Sequence, residues 1–303
     1  MAIAFETPTR ATTSVLSAGR RGFWRQLWRV LKRKPTRMVG AAIVVVFVVT
    51  GVIGPYLYPA NLPIHPNDNF AGPSWSHLLG TDFQGADVLA LLVVGSRYVL
   101  VAAVVAAVLT VVIGASTGLY AGYRRGAPDS VLMRLTDFII TVPGLPLLLV
   151  LSTVWKYSNP LTMGLVLGLT GWGSVARAVR AQTLSLRERG FIEAARGLGL
   201  STAHVVRKEL LPNVAPYVAM NLLISVTVYI YLEVGLFFLG VLPFNQNNWG
   251  VMISLAVQNG VTQTGSGLSY LLSPLVAILL ITLGVVLLVD SMDEVFNPRL
   301  RED

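Results

Sequence analysis

The feature that most constrains this chain is a series of apolar blocks, each about as long as a lipid bilayer is thick. Six segments qualify, at roughly 39–58, 98–121, 132–154, 160–178, 213–239 and 270–290. A helix rising 1.5 Å per residue needs ~20 residues to cross about 30 Å of hydrocarbon, and each block is near that length. Only 13% of the residues are charged, roughly half the share of a soluble globular domain. The expected fold is an all-α membrane protein with six transmembrane helices. The first block is too long for a secretory signal, and no small-x-small cleavage site follows it before Pro55 and Pro59, so it reads as a retained anchor.

The basic residues set the orientation. The N-terminal arm carries Arg10, Arg20, Arg21, Arg25, Arg29, Lys32, Arg33, Lys34 and Arg37. Arg124, Arg125 and Arg134 lie between the second and third blocks, and Arg177, Arg180, Arg187, Arg189, Arg196, Arg207 and Lys208 lie between the fourth and fifth. Arg299 and Arg301 close the tail. Six alternating spans put all of these on one side and leave only Arg97 and Lys156 on the other. The rule that basic loops stay inside then places both termini in the cytoplasm of a multi-pass inner-membrane protein. The net charge of +8 is a topology signal, and no nucleic-acid partner is expected.

This reading divides the chain into a cytoplasmic arm (1–38), a first span with an external segment (39–97), a core (98–290) containing a cytoplasmic loop at 179–212, and a tail (291–303). Residues 1–19 are polar and are expected to be disordered. Residues 21–34 place Arg21, Arg25, Arg29 and Lys32 on one helical face and Phe23, Trp24, Leu27, Trp28 and Leu31 on the others. Such a helix suits the headgroup layer of the lipid, and the plainer alternative is an ordinary charged terminus. The external segments 59–97 and 241–269 are placed to cover the outer mouth of a pathway or to meet an external partner.

Several chemistries are excluded. With no cysteine there is neither a disulfide nor a thiolate metal site. His65, His77 and His204 are scattered, and none of the four lysines follows a glycine, so no phosphate loop exists. No catalytic residue, metal or cofactor is expected. Within the spans, Gly114, Gly118 and Gly122, and again Gly164 and Gly168, recur every fourth residue and mark helices that approach closely.

The most specific pattern is FIEAARGLGLSTAHVVRKELLP at 191–212: Glu193-Ala194-Ala195, three residues, Gly199, then eleven residues to Leu211-Pro212. Two alanines leave a low helix surface that another protein can approach. Gly199 permits a turn that a Cβ would strain. Glu193 suits a helix N-terminus or a pairing with Arg189 or Arg196. Pro212 suits the first turn of the fifth span. The plainer reading is an amphipathic hairpin joining two spans.

This segment resembles the EAA loop of membrane subunits of ATP-binding-cassette importers. The resemblance runs over nearly the whole chain and is narrower still to the second, C-type permease of dipeptide, oligopeptide and nickel importers. It rests on the basic arm, HLLGTDFQGADVL at 77–89, SLRERGFIEAARGLG at 185–199, LPN at 211–213, EVGLFFLG at 233–240 and WGVM at 249–252. Three departures stand out: Ala86 where arginine is usual, Glu209 where an apolar residue or histidine is usual, and Phe237 where serine is usual. The resemblance implies a type I importer permease fold in which the loop forms a helix, a turn and a second helix. It also implies a second homologous permease, two cytoplasmic ATPases docked at Glu193, Ala194, Ala195, Gly199, Leu211 and Pro212, and an external binding protein delivering a small solute, with peptide the leading substrate.

Ionisable groups inside spans need a reason. Glu233 is preceded at four-residue steps by Tyr217, Asn221, Ser225 and Tyr229, a stripe that either lines a hydrated path or bonds neighbouring helices. Asp137 reads as an anchoring group paired near Arg134, and Thr141, Pro143, Gly144 and Pro146 break the third span. An ion-coupled secondary transporter is the alternative function, and it would need a midplane carboxylate or ion site. An intramembrane enzyme lacks a histidine–carboxylate pair in the spans, and a bare scaffold leaves the EAA-type loop without a purpose.

Overall fold

The computed structural model describes residues 34–58, 62–154, 159–240 and 248–296. The segment 1–19, the interfacial helix expected over 21–34 (Lys34 aside), Lys156, and the basic tail with Arg299 and Arg301 lie outside the described residues.

Within the described residues the chain is helical, and the elements follow the apolar blocks. Helix α1 (Pro35–Leu57) starts with proline in its first turn, where the missing N–H has no intrahelical acceptor to lose. Helix α2 (Val88–Arg124) is capped by Asp87, whose side chain accepts from the Ala90 N–H. Helices α3 (Ala127–Thr141) and α4 (Gly144–Val154) follow, then α5 (Pro160–Arg187), whose start is fixed by reciprocal bonds between Asn159 and Thr162. A short helix α6 (Gly190–Gly197) precedes the long α7 (Thr202–Phe238). Helices α8 (Trp249–Gln258), α9 (Val261–Thr264) and α10 (Leu268–Phe296) complete the order.

Four of these helices are long and apolar enough to cross a membrane, or five if the bent pair α3–α4 forms one span. The pair bends by 77° between Thr141 and Gly144. Val142 is extended (φ −74°, ψ 121°) because the ring of Pro143 crowds the helical conformation of the residue before it. The break thus falls among the residues that the sequence marks for it. Helix α5 has the length of a span but carries Arg177, Arg180 and Arg187 along its second half.

The two glycine stripes meet each other's helix. On α2, a Cβ at Gly114 would sit 2.8 Å from the Trp172 carbonyl, and one at Gly118 would sit 2.8 Å from the Arg180 nitrogen. On α5, a Cβ at Gly164 would sit 2.6 Å from the Ala102 carbonyl, and one at Gly168 would sit 2.8 Å from that of Ala106. The helices therefore run parallel with their backbones in contact, and this is the most extensive interface of the fold. Van der Waals contact is the main attraction available to helices in lipid, and bare glycine maximises it. Around this pair lie α7 and α1, with α10 closing on both of them. Valines and leucines on the outer faces, such as Val45, Val52, Val112 and Leu279, stay exposed as a lipid-facing surface requires.

Candidate functional site

Two regions at opposite ends of the bundle gather the residues singled out from the sequence. The first is the hairpin of α6 and the start of α7. Helix α6 ends in a Schellman turn: the Leu200 N–H bonds the Ala195 carbonyl at 3.2 Å and the Gly199 N–H bonds that of Arg196 at 2.9 Å. Gly199 has φ 74°, the left-handed region that glycine enters without strain, and the space around it is open. Ser201 then caps the next helix by accepting from the His204 N–H.

The hairpin has an inner and an outer face. Ile192, Ala195, Val205 and Leu210 are buried in one cluster with Val111, Ala115 and Leu119 of α2 and Val175 and Val179 of α5. Phe191, Leu198 and Leu200 point outward, with Leu198 79% exposed. Glu193, Ala194 and Gly199 are exposed as well, and Glu193 stands in the first turn of α6. One expectation needs correction. Ala195 faces inward, at 6% exposure, because the residues beside Ile192 on a helix's inner face are those three and four positions away. Pro212 stands in the first turn of the α-helical stretch Leu211–Phe238, as expected. The helical path continues upstream of it to Thr202, and the turns over Val205–Leu210 just before it widen to a π-helical spacing. There the Leu211 N–H reaches back to the Val206 carbonyl, and this wider ladder absorbs the bond that proline cannot donate. Leu211 is partly exposed beside it, and Glu209 is half-buried, its carbonyl accepting from Asn213.

The second region, at the far end, draws three separated motifs together. In the segment 77–89, Asp82 accepts from the N–H groups of Gln84 and Ala86, each at 2.8 Å. Burial pushes its carboxyl above the usual range, and the N–H bonds from Ala86, Gln84 and Gly85 oppose that rise. Asp87 caps α2 with one oxygen, and its other oxygen lies 2.8 Å from His77 Nδ1. Trp249 is buried and donates to the Leu92 carbonyl at 3.0 Å. Gly250 packs on α7, where a Cβ would meet Phe237 Cβ at 2.7 Å. The departures Ala86 and Phe237 are both turned inward here. The Ala86 carbonyl accepts from the Asp82 N–H and its own N–H donates to the Asp82 carboxylate, and Phe237 meets the Tyr98 ring edge-on at 5.6 Å between centroids. Their influence runs through packing, since neither presents a side chain at the surface.

The polar stripe of α7 divides along its length. Tyr217 and Asn221 are half-buried, and the Asn221 amide donates to the Tyr217 carbonyl. Ser225 and Tyr229 are buried. The Tyr229 hydroxyl bonds Thr110 of α2, whose own hydroxyl donates to the Gly168 carbonyl of α5. Glu233 is wholly buried and accepts from the Asn248 amide at 2.8 Å. Asp137 pairs with Arg177 of α5, and the Arg134 expected from the sequence is not its partner. A second, bidentate pair joins Arg180 to Asp129 at 2.6 Å through both oxygens. Sequence reasoning passed over Asn248 and Asp129. The signal for Asn248 was its place as a capping residue directly ahead of the apolar run at 249.

The described residues thus form a bundle of membrane-length helices with a hairpin rooted on one face and exposed on the other. Residues 114–302 match the family described as the binding-protein-dependent transport system inner membrane component. Residues 22–73 match the N-terminal transmembrane domain of oligopeptide transport permease C. The chain is similar to the dipeptide transport system permease protein DppC of Bacillus subtilis (strain 168), with 32% identity over 286 residues, 92% of this chain and 87% of the relative. It is also similar to the oligopeptide transport system permease protein OppC of the same organism, with 29% identity and 76% of each chain covered. OppC of Lactococcus lactis subsp. cremoris (strain SK11) is 27% identical over 89% of this chain and 92% of its own. The chain belongs to the binding-protein-dependent permease family and is a multi-pass membrane permease subunit of an ABC importer.

Proposed function

We propose that this permease carries peptides, and that it spans the inner membrane six times with both ends in the cytoplasm. A second homologous permease shares the path, an external binding protein delivers the ligand, and two separate cytoplasmic ATPases supply the energy. Helix α6 is the handle those ATPases grip, through Glu193, Ala194 and Gly199 with the exposed Phe191, Leu198 and Leu200 around them. Ala195, Leu211 and Pro212 hold the handle to the spans. The observation that carries this reading is the two-faced hairpin: Ile192, Ala195, Val205 and Leu210 root it in the packed ends of α2 and α5, while a compact apolar face is left bare. A force on the bare face reaches the spans because a packed core transmits displacement without absorbing it. The shift achieved equals the difference in ATPase contacts between the two states. Peptide is supported by the relatives DppC and OppC, a dipeptide and an oligopeptide transport permease.

Along α7 we assign Tyr217 and Asn221 to the path, and Tyr229 and Glu233 to the bonding role. Ser225 marks the boundary between them. The deciding experiment is uptake of a labelled dipeptide in cells producing the whole complex, with ATPase co-purification scored in parallel. Gly199→Trp is expected to insert normally yet lose both uptake and bound ATPase. Normal uptake with normal co-purification would sink the coupling role, and uptake that survives ATP depletion but needs an ion gradient would favour the secondary-transporter reading.

A further inference from the structure

One cation on the outer surface of the bundle has no counter-charge. Arg97 lies inside α2, a helix of membrane length, and is exposed, so it faces away from the packed core. Its side chain makes no ion pair or hydrogen bond with any described residue. Ionisable groups within spans ordinarily pair, and Arg177 and Arg180 of α5 are each held by a carboxylate. Arg97 is the departure from that pattern.

Its neighbours give the site a direction. Helices α1 and α2 run antiparallel: a Cβ on Gly54 would meet Val93, and one on Gly51 would meet Leu100 and the Arg97 backbone. Arg97 is therefore level with Gly51, and α1 ends about 9 Å further on, at Leu57. Helical side chains lean toward the N-terminus of their helix, which for α2 is the same membrane surface. The aliphatic stem can thus lift the guanidinium toward the headgroups. On the other side of Arg97, toward the middle of the bilayer, runs an apolar groove of about 230 Å³ walled by Val48 and Val52 of α1 and Leu100, Val101 and Val104 of α2. It reaches Val105, about 12 Å past Arg97. Val48, Val52 and Val104 are about half exposed, so the groove opens outward, where lipid lies.

A cation set above an apolar trough is complementary to a phosphate set above an acyl chain. The guanidinium fork matches phosphate oxygens in pairs. A zwitterionic headgroup carries its own cation beside the phosphate, whereas an anionic headgroup leaves its charge to Arg97. A free phosphate would engage the fork and leave the trough bare.

We propose that Arg97 and the α1–α2 groove bind one anionic phospholipid, its phosphate on the guanidinium and an acyl chain laid along Val52, Val48 and Val104. The chain has no cysteine, so a bimane label on Val52→Cys, in the complex with cysteine-free partner subunits, reports which lipid fills the groove. Quenching is measured in phosphatidylcholine vesicles doped with either brominated phosphatidylglycerol or brominated phosphatidylcholine. Leu165→Cys on α5 is the control. It is exposed, α5 runs parallel to α2, and each label stands about 7.5 Å from the near end of its helix. Phosphatidylglycerol is expected to be preferred roughly five-fold at 52, the weight of one basic residue beside an anionic headgroup, and not at 165. Arg97→Gln is expected to abolish the preference, and Arg97→Lys, which keeps the charge without the fork, to retain part of it. Equal quenching by the two lipids at 52 with Arg97 in place overturns the proposal, as does a preference that survives Arg97→Gln. A label at 52 that neither lipid quenches, while both quench at 165, also overturns it and makes the occupant a partner subunit. The comparison of 52 with 165 decides the matter even where Arg97→Gln fails to accumulate.

Discussion

The side-chain amide of Asn248 donates to the carboxylate of Glu233 across 2.8 Å, and both side chains are wholly enclosed by the chain. Asn248 also accepts from the Gly250 N–H at 2.7 Å and so caps α8. One residue thus fixes where α8 starts and ties that start to the far end of α7. Asn248→Ala removes both bonds and leaves the carboxyl group without its donor, which is expected to cost about 2–4 kcal/mol when an unmet buried group and a lost cap are combined. Glu233→Gln keeps an acceptor oxygen for the Asn248 amide and is expected to cost less. Thermal unfolding of the two variants in detergent checks the order, and equal losses would contradict it.

Gly118 is the tightest test of the α2–α5 contact. A Cβ there would approach the Arg180 nitrogen at 2.8 Å, and this neighbour is backbone that cannot rotate away. Gly118→Val is expected to separate the helices and cost at least ~1–3 kcal/mol, the usual range for overpacking. Recovery of folded permease by gel filtration should fall sharply, whereas Gly144→Val, where a Cβ meets nothing, should be recovered well.

At Gly199 the problem is conformation without crowding. The φ of 74° penalises any side chain, but no atom lies within 4 Å of a Cβ placed there. Gly199→Ala should therefore loosen the Schellman turn by about 1–2 kcal/mol while the chain still inserts. Faster amide exchange confined to 190–205 is the expected readout.

The chain has no native cysteine, so single introduced thiols report cleanly on α7. A thiol at Asn221 is expected to react with a small aqueous maleimide in at least one transport state, and one at Tyr229, packed against Thr110 and Gly171, to stay silent. Reaction at 229 with silence at 221 would reverse the division of the stripe.

Asp82 gives a pH dependence with a definite sign. Burial raises its folded-state pKa above the ordinary carboxylate range. The fold therefore binds this proton more tightly than the unfolded chain does. Its contribution to stability is fully present below the ordinary carboxylate pKa and is lost as pH rises through the raised value. Asp82→Asn should flatten that slope while still offering an oxygen to the Gln84 and Ala86 N–H groups. Proteolysis of the 62–87 segment between acid and neutral pH measures it.

The helical membrane class, the glycine stripes, the break near Pro143 and the hairpin around Gly199 are all legible in the order of residues alone. Each of these is local: a run of apolar residues, a four-residue spacing, a proline, or a left-handed turn carries its meaning within a few positions. Which side chains meet depends on how the helices pack. Asp137 reaches Arg177 on another helix and leaves its sequence neighbour Arg134, Ala195 turns in while Ala194 turns out, and a π-helical stretch over Val205–Leu210 joins the hairpin to the span that Pro212 opens. Glu233, legible only as a costly carboxyl group, acquires its partner from a residue fifteen positions on. Helical periodicity fixes the relative directions of side chains along one element, but its rotation about its own axis is set by the helices packed against it.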